Sequence, residues 1–118
     1  MITLSDISKS YRSARGTPVE VLKGMNVDVE PGEFVSVTGP SGCGKSTLLL
    51  IAGSLLQPDS GTVVIDGRDF TAMNSDAKAL QRAETIGFVF QRFHLLPYLT
   101  VRENIAAGGV ALKTPGEE

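Results

Sequence analysis

The stretch Val35 to Gly53, VSVTGPSGCGKSTLLLIAG, passes from a short β-branched and apolar run through a glycine-rich bend into an apolar segment of helical length, with Lys45 at the corner. Gly39, Gly44, Lys45 and Ser46 satisfy the pattern G-x-x-x-x-G-K-[ST]. The pattern follows a strand-like run and precedes a helix-like one, which is the context its mechanism requires. Gly39, Gly42 and Gly44 open backbone conformations that let successive N–H groups turn inward on phosphate oxygens. A helix opening at Lys45 adds its partially positive N-terminus. In such a loop Lys45 reaches the β- and γ-phosphates of a nucleoside triphosphate, and the Ser46 hydroxyl holds Mg²⁺. The plain alternative is a glycine-rich turn without a ligand.

Composition bounds what surrounds this loop. A 42% hydrophobic and 20% charged chain of 118 residues is ordinary for one globular domain or a piece of one. Thirteen glycines against six prolines point to turns rather than a low-complexity polymer. A formal net charge of −2 argues against a protein whose main task is gripping nucleic acid, which needs a concentrated excess of Lys and Arg. The longest apolar run, around Leu48 to Leu56, is far short of the roughly 20 residues of a membrane-spanning helix. The opening MITLSDISKSY has neither the basic nor the apolar region of a secretory signal. A single cysteine, Cys43, makes no internal disulfide, which together with the missing signal leads to the expectation of a cytoplasmic protein.

Along the chain, Ile2, Leu4 and Ile7 alternate loosely, and Val19, Val21, Met25, Val27 and Val29 alternate until Pro31 and Gly32; both read as antiparallel strands with one wet face. Phe34–Thr38 and Ile86–Phe90 are nearly continuous apolar or β-branched runs, the pattern of central parallel strands covered on both faces. A helix is expected from Lys45 to about Leu55, ended by Gly53, Ser54 and Pro58, followed by the strand TVVID. SDAKALQRAET reads as a second helix capped by Asn74 or Ser75. A third begins where Thr100 and Glu103 form a capping box. The tail LKTPGEE is polar and loop-like.

The stretch VEVLKGMNVDVEPGEFVSVTGPSGCGKSTLLLIAGSLLQPDSGTVVIDGRD, followed by IGFVFQRFHLLPYLTVRENI, resembles the nucleotide-binding domain of ATP-binding cassette (ABC) transporters. Within these it is most similar to the ATPase subunits of the lipoprotein-release and macrolide-export type. The resemblance covers nearly the whole chain to about Ile105. It implies an α/β fold, with a P-loop core of a central, mainly parallel sheet and helices, plus an antiparallel β-subdomain. It also implies ATP and Mg²⁺ as ligands of the loop from Gly39 to Thr47, in which Pro40, Ser41, Gly42 and Cys43 supply the bend and Lys45, Ser46 and Thr47 the helix start.

Tyr11 falls where the family places an aromatic that stacks on adenine; read without the family, an isolated Tyr after a strand is an ordinary surface or core-edge residue. Stacking grips a base without reading its edge, so ATP is expected with weak discrimination against GTP. Val19 lines the same pocket or, more plainly, packs in the core. Gln91 matches the family's Q-loop glutamine, which implies a catalytic role as a Mg²⁺ ligand that orients water and senses the γ-phosphate. Phe93, Leu95, Leu96, Tyr98 and Leu99 follow it. They are either core or an apolar notch that receives a helix of a membrane-embedded permease subunit.

Hydrolysis needs a carboxylate to secure Mg²⁺ and another to activate water, and the family takes both from an Asp-Glu pair ending an apolar strand. Here the nearest match is TVVIDG, where Gly67 follows Asp66; Asp-Gly is instead a hairpin turn. His94 lies three residues past Gln91 and cannot be the family's switch histidine. The signature loop, the Asp-Glu strand and the switch histidine lie downstream of the matched region. The expectation is therefore that residues 1–118 form the N-terminal portion of an ABC ATPase, short of its helical subdomain. The complete ATPase would dimerise with a second nucleotide-binding domain around ATP and attach to the inner face of a membrane through the permease. The fragment alone would be inactive or nearly so and would self-associate. Two other readings stand beside transport: an ABC ATPase serving cell division, translation or DNA repair, and a catalytically dead nucleotide-binding module.

Overall fold

The computed structural model describes residues 1–109, in two compact units that meet in sequence at Asn74 and Ser75. The first unit is built on an antiparallel sheet. Strands β1 (Ile2–Arg12), β2 (Pro18–Val29), β3 (Ser60–Ile65) and β4 (Arg68–Asp69) lie in the order β2-β1-β3-β4. β1 is central, with Ile2 opposite Val29 on one side and Ile65 on the other.

The alternation expected of β1 is broken once. Leu4 and Ile7 are both buried although three residues apart, because the register shifts between them. Asp6 takes up the extra residue with φ 51°, and its N–H donates to Asn26 Oδ1 at 2.9 Å. The bulge returns Ile7 to the buried side, where a strict period of two would have pointed it to solvent. β3 and β4 are joined by Asp66 and Gly67, with φ of 47° and 76°. Two positive φ values in a two-residue loop match the right-handed twist of the flanking strands, and Asp-Gly tolerates them.

Helix α1 (Lys45–Ala52) buries Leu48 and Ile51, which share the interior of this unit with Leu4, Ile7, Leu22, Val63, Ile65 and Phe70. It ends three residues before the expected Leu55. The Ser54 N–H donates to the Ile51 carbonyl and the Leu55 N–H to the Leu50 carbonyl, at 2.9 and 2.8 Å. These are the two bonds of a Schellman stop, with Ser54 at φ 59° in the left-handed position that glycine usually occupies.

The second unit contains α2 (Ser75–Thr85) and α3 (Val101–Ala107). Asn74 directly precedes α2. α3 starts on the predicted capping box: the Glu103 N–H donates to Thr100 Oγ1 at 3.3 Å, and Glu103 Oε2 accepts from the Thr100 N–H at 2.7 Å. Hydrogen bonds from the Thr100 N–H and hydroxyl hold the Glu103 carboxyl below its ordinary pKa. The tail LKTPGEE lies outside the described residues.

Two expectations are corrected here. Phe34–Thr38 and Ile86–Phe90 belong to no strand ladder, and Phe34 and Val89 are 96% and 98% exposed. A parallel strand exists only through hydrogen-bonded neighbours and covering helices, and neither segment has such a strand neighbour among the described residues. Val19 is half exposed on β2 opposite Tyr11, so it is no core residue.

Candidate nucleotide-binding site

Gly44 is the N-cap of α1, with φ 99° and ψ 9°. A Cβ there would lie 2.8 Å from Val21 Cγ1 and 3.0 Å from the Val21 carbonyl oxygen. Backbone conformation and the close approach to β2 therefore both require glycine. No side chain caps this helix, and its first internal bond runs from the Leu48 N–H to the Gly44 carbonyl at 2.9 Å. The amides of Lys45, Ser46 and Thr47 thus point out of the helix end, the arrangement that binds anions.

The Lys45 ammonium bends back over the loop. It donates to the carbonyls of Gly39 and Pro40 at 2.6 and 2.8 Å, with Cys43 Sγ 3.8 Å away. The Cys43 N–H closes the turn on the Pro40 carbonyl at 3.3 Å. Ser41 and Gly42 form the exposed crest, and Ser46 is exposed at the helix start. One cation, a row of outward amides and a hydroxyl are thereby gathered within nine residues. This donor set, which carries no carboxylate, fits a phosphate chain with its metal ion.

Tyr11 joins this site from β1. Its hydroxyl is 3.4 Å from Thr47 Oγ1, and the residue is 43% exposed. Next to it stand two residues that sequence reasoning missed. Lys9 Nζ lies over the Tyr11 ring, 5.8 Å from its centroid, and donates to Asp59 Oδ1 at 3.1 Å and the Gln57 carbonyl at 2.9 Å. Asp59 also accepts from the Ser10 N–H at 2.7 Å. The Ser10 N–H first, then the Lys9 ammonium, hold the Asp59 carboxyl below its ordinary value of 3.8. Lys9 stands only two residues before Tyr11, but nothing local to it points to Asp59.

Asp66 sits in the β3–β4 turn and takes an ion pair from the Met1 amino group at 2.8 Å. The turn reading of TVVIDG therefore agrees with its surroundings. Among the described residues no group of three or more His, Cys, Asp or Glu side chains could hold a metal ion.

In the second unit, Gln91 is exposed directly after Phe90. His94 packs edge-on against the Phe90 ring at 5.4 Å and is likewise exposed. Beyond it Leu95, Leu96, Pro97, Leu99, Val101 and Ile105 line an open groove of about 340 Å³. Asn104, also missed in the sequence, fixes the groove's wall. Its side chain accepts from the Leu96 N–H at 2.9 Å and donates to the carbonyls of Leu96, Leu99 and Thr100.

Among known proteins, the family model described as ABC transporter matches residues 22–117. A lipoprotein-releasing system ATP-binding protein, LolD 1 of Rhodopirellula baltica, is 47% identical over 115 residues, covering 98% of this chain and 50% of that protein. The macrolide export ATP-binding/permease protein MacB of Shigella flexneri is 46% identical over 110 residues, 93% of this chain and 17% of its own length. A dimeric post-hydrolysis state of the ATP-binding cassette MJ0796, bound to ADP and Pi, superposes with a TM-score of 0.90 at 39% identity, covering 100% of this chain and 50% of that one. The likeness carries the α/β cassette architecture with its antiparallel sheet, and the chain spans half the length of LolD 1 and of the cassette. With a model match over residues 22–117 and relatives of this similarity, the chain belongs to the ABC transporter family.

Proposed function

We propose that residues 39–47 bind the triphosphate of ATP together with Mg²⁺, that Tyr11 stacks on the adenine, and that the whole protein is the energy-supplying ATPase subunit of a membrane transporter. The observation that carries this reading is the Lys45 ammonium held over the loop, beside an uncapped helix start and with Tyr11 against Thr47. Bound ATP supplies the phosphoanhydride whose cleavage drives the cycle. The amides of Lys45 to Thr47 orient the phosphates, Lys45 exchanges loop carbonyls for phosphate oxygens, and the Ser46 hydroxyl holds the metal ion.

Gln91 would act as the second metal contact and water-orienting group of the complete ATPase. The groove under Asn104 suits an apolar helix of a permease, because Leu95 and Ile105 expose their side chains along it while Asn104 keeps its wall in place. A second nucleotide-binding domain would complete the ATP site, as the MJ0796 cassette is dimeric. The subunit would sit on the cytoplasmic face of the membrane through its permease. No helix among the described residues is long and apolar enough to cross a membrane itself.

Titration with a fluorescent ATP analogue tests the site. Lys45→Ala is expected to lower affinity on the order of 10- to 100-fold, the worth of hydrogen bonds to a charged partner, with an unchanged thermal melt. Equal affinity in a folded variant would remove the loop as the binding site.

A further inference from the structure

The turn after α1 is tied to the end of β1 by four hydrogen bonds. The Asp59 N–H donates to the Ser8 carbonyl at 2.9 Å, and Asp59 Oδ2 accepts from the Ser10 N–H at 2.7 Å. Lys9 Nζ donates to Asp59 Oδ1 at 3.1 Å and to the Gln57 carbonyl at 2.9 Å. The Lys9 side chain is only 15% exposed, so its ammonium is confined between this turn and the Tyr11 ring. An isolated surface ion pair would count for little. Here one carboxylate bridges a backbone amide and an ammonium, and that ammonium also holds a carbonyl and faces an aromatic ring.

We infer that Lys9 and Asp59 are positioning residues for nucleotide binding: their clamp sets the Tyr11 ring at a fixed distance from the phosphate loop, so that one nucleotide spans both. The inference rests on the reading of Tyr11 as the adenine platform. α1 carries the proposed phosphate-binding end at Lys45 and stops at Ala52, from which the amides of Ser54, Leu55 and Leu56, bonded back to the helix carbonyls, lead on to Gln57–Asp59, while β1 carries Tyr11 one residue past Ser10. Tying the turn to Ser8–Ser10 links ring and loop through a rigid helix rather than through the single 3.4 Å contact of Tyr11 with Thr47. The ammonium also lies within the roughly 6 Å over which a cation and an aromatic face attract, which holds the ring against the clamp.

The test measures MgATP and magnesium tripolyphosphate binding calorimetrically on the full 118-residue chain, since tripolyphosphate engages the phosphate loop without an adenine. Lys9→Met and Asp59→Asn break the clamp from either side; the second leaves an acceptor for the Ser10 N–H. Each is expected to weaken MgATP about three- to tenfold while leaving tripolyphosphate unchanged. Lys9→Arg restores binding, and Lys9→Met adds nothing to Tyr11→Ala. The inference is overturned if Tyr11→Ala weakens MgATP selectively but the clamp variants do not, or if they weaken both ligands equally, the mark of a merely structural tie. If Tyr11→Ala leaves the preference for MgATP over tripolyphosphate unaltered, the stacking reading itself fails and takes the clamp's role with it.

Discussion

Cys43 shows how densely the loop is used. Its N–H closes the turn on Pro40, the residue is exposed, and its Sγ lies 3.8 Å from the Lys45 ammonium. A maleimide on that sulfur would occupy the space the phosphates need, and bound nucleotide would shield the thiol in return. With MgATP at about ten times its Kd, labelling of Cys43 is expected to slow about tenfold, in step with the fraction of sites left free. Mass spectrometry with and without MgATP measures this, and equal labelling rates would place the thiol away from the nucleotide. As the chain has one cysteine, the readout is unambiguous.

α1 is the element on which the site depends, and its two ends are made differently. The C-terminal stop uses Ser54 in a left-handed conformation, while the N-terminal start uses Gly44, whose missing side chain lets the helix end approach β2. Gly44→Ala meets both a positive φ and a 2.8 Å encounter with Val21 Cγ1. It is expected to destabilise the chain by about 1–3 kcal/mol, the range for left-handed strain combined with overpacking. Urea unfolding monitored by circular dichroism gives the value. A change within a few tenths of a kcal/mol would mean that β2 yields at Val21 and that the approach is not tight.

For the molecule as a whole, the described residues leave large apolar side chains in solvent: Phe34 and Val89 almost completely, Phe93 and Tyr98 for the most part. Apolar side chains exposed in this number invite association with another copy. The 118-residue chain is expected to self-associate in light scattering, and a monodisperse monomer would contradict this. Phosphate release is expected to match that of Lys45→Ala, because Asp66, the carboxylate nearest the family's pattern, sits in a turn paired with the Met1 amino group, and loss of a general base costs about 10²- to 10⁴-fold. Lys45-dependent release at several turnovers per minute would reveal a catalytic carboxylate among these residues.

The glycine loop from Gly39 to Gly44, the helix start at Lys45, the Asp66–Gly67 turn and the Thr100–Glu103 capping box were all legible in the sequence. Each is decided by residues within a few positions of one another, through backbone conformation or a local hydrogen bond. The family was legible for the same reason, since its motifs are continuous stretches. What the sequence could not supply were relations across distance. Tyr11 meets Thr47 36 residues on, and Lys9 meets Asp59 50 residues on, because β1 and the turn after α1 are brought together only by the sheet. The half-exposed Val19 and the bulge at Asp6 depend on register, which a local pattern does not fix. Phe34–Thr38 and Ile86–Phe90 carry the composition of buried strands, yet a strand is a statement about neighbours, and the tertiary structure gives these two segments no strand ladder among the described residues.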